Sequence, residues 1–200
     1  FFFFFLAVIL NSRRQGHLPP DQSTFNYMAA SLIAVIALDM GTVAFDGVDF
    51  RFARGLNILF SCLYWSFCII PCYLAMLYCY YKIYLKMSEK FIRLTSIPIF
   101  INLALIIINA FTGIIFTVSP DNVYHRGRYF VMCAVIPFLY MFAVLVMAQM
   151  KMRKVPRYEK KKYRALSSIL LIPLAGGLIQ TTFYGIPAIW IGTTIAVVMC

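Results

Sequence analysis

Two carboxylates seven residues apart, Asp39 and Asp46, and two asparagines seven apart, Asn102 and Asn109, are the residues whose type and spacing could do chemistry in this chain. Each pair falls on one face of a helix, since seven residues make two turns. Asp39 lies fourteen residues into the apolar run that starts at Phe25, and Asn109 lies fourteen into the run that starts at Thr95. The two are therefore expected at similar depth, with Asp46 and Asp49 forming a polar opening that narrows towards Asp39. A carboxylate in such a run is costly, about 3 kcal/mol on insertion scales, and marks a site by default. Its other reading is a hydrogen bond between helices, worth about 1 kcal/mol. Both readings stay open for Asp39 and Asn109.

The stretch SPDNVYHRGRYF, from Ser119 to Phe130, is the second candidate. Pro120, Asp121 and Asn122 are turn formers. Turn chemistry leaves Tyr124, His125, Arg126 and Arg128 unexplained, although Tyr124 and Tyr129 also suit a membrane interface. No clustered nucleophile and base, no metal-ligand set, no phosphate loop and no HExxH or GxSxG pattern occurs, so no catalytic residue, metal or cofactor is assigned. The six cysteines, all in apolar runs and without a CxxC, read as small buried hydrophobes.

The elements that must position these residues are spanning helices. The chain has 200 residues, is 62% hydrophobic and only 12% charged, with a mean hydropathy of +0.83. Its apolar residues come in blocks of about twenty, the length that crosses a hydrocarbon core. Seven blocks are read: 1 to 10, 25 to 45, 55 to 80, 95 to 118, 129 to 150, 165 to 182 and 187 to 200. The first and last are taken as incomplete spans, because FFFFFLAVIL lacks the basic flank and cleavage site of a signal peptide and the last run is too short. Continuous rather than alternating runs disfavour strands, so the expected fold is all-α, a polytopic transmembrane bundle of about seven helices forming a single domain over residues 1–200.

Charge orients it. Of eighteen Lys and Arg, fourteen fall in the connections at 11 to 24, 81 to 94 and 151 to 164. Only Arg51, Arg54, Arg126 and Arg128 fall in the others. The positive-inside rule then puts the amino end outside, the carboxyl end in the cytoplasm and SPDNVYHRGRYF outside. KMRKVPRYEKKKYR reads as a topological anchor or a site for anionic lipid head groups, and KIYLKMSEKFIR as a basic continuation of the third helix along the inner surface. The net charge of +11 is thereby explained without nucleic acid. Ala30, Ala34, Ala37, Gly41 and Ala44 form a small-residue stripe expected to pack closely inside the bundle, with Asp39 on the opposite side. Five prolines, Pro71, Pro98, Pro137, Pro173 and Pro187, stand one to a helix as kink sites.

At FTVSPDNVYHRGRYFV the chain resembles the amino-terminal multi-helix membrane region that precedes GGDEF diguanylate cyclase domains in many Firmicutes, and more loosely the seven-helix regions ahead of some histidine kinases. Phe116, Asp121, Tyr124, Arg126 and Gly127 carry the likeness. It implies a membrane-embedded sensory input module in a bacterial plasma membrane; taken with the polar residues above, the candidates for sensing an external or membrane-borne ligand are Asp39, Asp46, Asn102, Asn109, Tyr124, Arg126 and Gly127. It also implies a cytoplasmic output domain after Cys200, working as a homodimer in cyclic di-GMP signalling. The GGDEF signature is absent here, so GTP and magnesium attach to no residue of this chain. The rival reading is a small permease, against which stands the lack of an internal repeat.

Overall fold

The computed structural model describes residues 20–182 and 188–199. It consists of seven helices and one hairpin: α1 (Pro20–Phe45), α2 (Ala53–Phe67), α3 (Ile69–Tyr84), α4 (Glu89–Thr112), β1 (Phe116–Val118), β2 (Tyr124–Arg126), α5 (Phe130–Lys154), α6 (Arg157–Thr182) and α7 (Ala188–Met199). Five stretches are long and apolar enough to cross a membrane: Gln22–Phe45, Ala53–Tyr84, Glu89–Thr112, Phe130–Lys154 and Arg157–Ile179. The expected all-α, membrane-embedded, multi-pass architecture holds at this level. The first apolar block, 1 to 10, lies outside the described residues.

Several boundaries differ from expectation for identifiable reasons. Residues 55 to 80 are not one regular helix, because the chain breaks at Cys68, three residues before Pro71, whose ring and missing N–H oppose an unbroken ladder. The 32-residue span Ala53–Tyr84 would be about 48 Å long as an ideal helix, well over the roughly 30 Å of a hydrocarbon core. α3 then stops where Leu85 turns left-handed (φ 55°), and Ser88 caps α4 by accepting from the Phe91 N–H at 3.5 Å. KIYLKMSEKFIR thus continues the old helix only as far as Tyr84, and the rest of it is a tight connection and the start of a new helix. Most of the basic run after Pro156 likewise forms the first turns of α6.

The largest departure is at 95 to 118. α4 ends at Thr112, where Gly113 adopts φ 64°, a backbone state natural to glycine at a helix end. Phe116–Val118 is then a strand paired antiparallel to Tyr124–Arg126, with Thr117 opposite His125. Strands were not expected, yet this hairpin fills the connection between α4 and α5.

The core has two main centres. Ile69, Cys72, Met76, Tyr140, Met141 and Val144 join α3 to α5, while Met28, Leu32, Val35, Tyr64 and Cys68 join α1 to α2. α4 is peripheral: only Asn102, Ile106 and Asn109 are buried, a single stripe at spacings of four and three, and Phe100, Ile107 and Phe111 stand exposed as lipid-facing residues would.

Candidate functional site

α1 and α2 are antiparallel neighbours, and the short loop between them brings Asp46, just past the end of α1, against Asn57 on the first turns of α2. Asn57 is wholly buried. Its Nδ2 donates to Asp46 Oδ1 at 3.2 Å and to Asn122 Oδ1 at 3.1 Å. The same Asp46 oxygen accepts the Tyr124 backbone N–H at 2.8 Å. Ser61, one turn along α2 and also wholly buried, donates to Asn57 Oδ1 at 3.4 Å.

Asn122 is the hub of this network. At the tip of the hairpin it takes φ 58°, a left-handed state that asparagine tolerates better than most residues. That conformation turns its amide back onto the α1–α2 loop, where Nδ2 donates to Phe45 O at 2.6 Å and to Val48 O at 2.8 Å. Its own carbonyl accepts the Gly47 N–H at 2.8 Å. The carbonyls at the end of α1 lack helical partners, and Asn122 supplies one.

The base of the hairpin is held by Asn109. Its Oδ1 accepts the Ile115 N–H at 2.7 Å and the Phe116 N–H at 3.1 Å, and its Nδ2 donates to Phe116 O at 3.1 Å. Tyr124 stacks on Phe116 with ring centroids 5.5 Å apart, and its hydroxyl accepts from Trp65 Nε1 at 3.2 Å. At Gly127 a Cβ would lie 2.3 Å from the Ile114 carbonyl oxygen. Only glycine lets these backbones approach so closely.

The four basic residues on this side each find a partner. Arg54 donates to Val118 O at 3.2 Å, while Arg51, Arg126 and Arg128 lie over the rings of Phe52, Phe130 and Tyr129 at 5.3, 4.6 and 5.8 Å. They serve the local structure of the loops rather than topology.

Of the residues singled out in the sequence, the fold brings together Asp46, Asn109, Tyr124, Arg126 and Gly127, all in or against the hairpin. Asp46 and Asn57 plug this end rather than line an opening. Asn109 spends its amide on the hairpin base rather than on Asp39. Asp39 shares the inner face of α1 with buried Met28, Leu32 and Val35, and its carboxylate has no hydrogen-bond or ion-pair partner among the described residues. Asn102 anchors α4 by donating to Trp65 O at 2.8 Å, leaving its Oδ1 buried and unpartnered.

The small-residue stripe departs from expectation. Ala30, Ala34, Ala37 and Ala44 are exposed, while Gly41 packs closely, a Cβ there falling 2.2 Å from the Phe60 ring. The bulkier Met28, Leu32 and Val35 offer more apolar area to α2 and α3 and take the inner face instead. Asn57, Ser61 and Trp65 were missed, and Asn122 was read only as a turn former. Asn57 and Ser61, polar residues four apart within an apolar run, were the available signal.

The arrangement is a saturated hydrogen-bond lock. It holds no nucleophile beside a base, and among the described residues no three His, Cys, Asp or Glu side chains converge. The fold and site define a helical membrane protein whose loops at one end are fastened by a buried polar network. No family model, curated protein or solved structure matches the chain.

Proposed function

We propose that this chain is a membrane-embedded signal-input module, of the kind fused to cytoplasmic GGDEF output domains in bacteria, with its hairpin end outside the cell. The observation that carries the reading is the Asp46–Asn57–Asn122 network. It joins α1, α2 and, through the hairpin, α4 and α5, so a change at the loops reaches four helices at once. The residues behind the resemblance, Phe116, Tyr124, Arg126 and Gly127, build this same unit. A ligand or proton acts only through its different affinity for two packings of the helices, and a polar network of exchangeable hydrogen bonds offers such a pair.

The test uses the parent protein in its native membrane, with cellular cyclic di-GMP as the readout. Asp46→Asn and Asn122→Ala are expected to change its level several-fold, in the presence or absence of stimulus, at unchanged protein abundance. Unaltered levels in both variants would refute the input role. A permease reading rests on the unpartnered Asp39 carboxylate; it predicts solute uptake that Asp39→Asn abolishes.

A further inference from the structure

A small cleft of about 40 Å³ opens where α1, α3, α5, α6 and α7 meet, and no nitrogen or oxygen atom faces it. Five of its eleven described lining residues carry sulfur: Met28 on α1, Cys72, Met76 and Cys79 on α3, and Met141 on α5. All five are less than 5% exposed. Methionine and cysteine supply seven of the twenty-five buried hydrophobic residues among those described, so eleven core residues would include about three. Sulfur is concentrated here.

Apolar packing explains about three such residues, since methionine and cysteine fill irregular gaps well. Five sulfurs around one cleft also make a soft donor set, the kind that selects Cu(I). Spacing restricts how the set can act. Cys72 and Cys79 are seven residues apart, roughly 10 Å along the helix axis, too far for both to hold one ion at metal–sulfur lengths of about 2.3 Å. Met76 sits one turn from each, on the same face. The geometry points to a Cu(I) site in which the Met76 thioether and one thiolate, from Cys72 or Cys79, bind the ion with Met28 or Met141 closing it from the facing helix.

Charge favours the same ion. On binding, one S–H bond breaks, its proton leaves to water, and an S–Cu bond forms with no change of oxidation state. The product of one thiolate and one monovalent cation is neutral, and a neutral product suits a site without polar atoms. Zn²⁺ with a single thiolate would leave an uncompensated charge there and also lack its usual four ligands. The site should therefore discriminate against it. Nothing in this inference depends on the input role.

The experiment is an anaerobic titration of the purified chain in detergent with the Cu(I)–bicinchoninate complex, reading transfer of copper by loss of the complex's colour. One equivalent should transfer, with a near-ultraviolet thiolate–Cu(I) absorption band, and excess Zn²⁺ should not compete. Met76→Leu, close to neutral in volume, should weaken binding at least tenfold, the Cys72→Ala/Cys79→Ala double variant should abolish it, and Cys133→Ala should leave it unchanged. Thermal unfolding of each variant establishes that it is folded. No transfer to the wild-type chain, full affinity in Met76→Leu, or binding that survives the double cysteine variant would overturn the site.

Discussion

Asn122 does three things that no other residue type does together: it accepts a left-handed backbone, donates to two loop carbonyls and accepts from Asn57. Asn122→Ala loses the side-chain bonds and also strains the backbone, which costs about 1–2 kcal/mol for an L-residue in that region, while each buried group left unpaired adds about 1–3 kcal/mol. The expected loss is about 3 kcal/mol or more. Asn122→Gly should recover the backbone part alone. Cys68, Cys72, Cys79 and Cys133 are buried, so a thiol-reactive dye in a thermal ramp reports unfolding for the whole series. Asp39 should behave in the opposite way. Its carboxylate has no partner among the described residues and sits in a span, so Asp39→Leu should raise the melting temperature in the same assay. A carboxylate retained at a cost to stability is what a functional group in a membrane looks like, and a lower melting temperature for Asp39→Leu would mean that it is structural.

α4 shows how an element can depend on two side chains. With a single buried stripe and most of its surface facing outward, it has little apolar area to hold it against the bundle, and Asn102 and Asn109 fix it to the α2–α3 break and to the hairpin base. Asn109→Leu removes acceptors from the Ile115 and Phe116 N–H groups and should speed hydrogen exchange at those amides tenfold or more, with helical amides of α3 and α5 unaffected. Equal protection in the variant would show that the hairpin stands without its anchor. The spans themselves were legible, because blocks of twenty apolar residues have few alternatives. The hairpin was not, because FTV continues the apolar run of α4 and three-residue strands are too short to show alternation; only Gly113 marks the turn. Asp46 and Tyr124 were singled out by type and position and Gly127 by the resemblance, whereas Asn57 and Asn122 gain their meaning from contacts 65 residues apart that periodicity cannot reveal.

At the scale of the molecule the two ends of the bundle are chemically different. The α1–α2 loop and the hairpin form one end, packed by the asparagine network and four partnered arginines. The α3–α4 and α5–α6 connections form the other, flanked by Lys82, Lys86, Lys90, Arg93 and the basic residues from Lys151 to Arg164. Of these, Arg93 meets Glu89 at 3.7 Å, a highly exposed pair of a kind worth little. Ring and carbonyl partners leave a guanidinium charged, so the four arginines at the first end still count, and the twelve basic residues of the other two connections outweigh them. The basic end should therefore face the cytoplasm. Asp121 and Lys161 are exposed at opposite ends, which makes them reporters. Asp121→Cys should react with a membrane-impermeant maleimide in intact cells, and Lys161→Cys only after permeabilisation, each measured against the unsubstituted chain. The reverse pattern would place the network in the cytoplasm. An external ligand could then no longer be the signal.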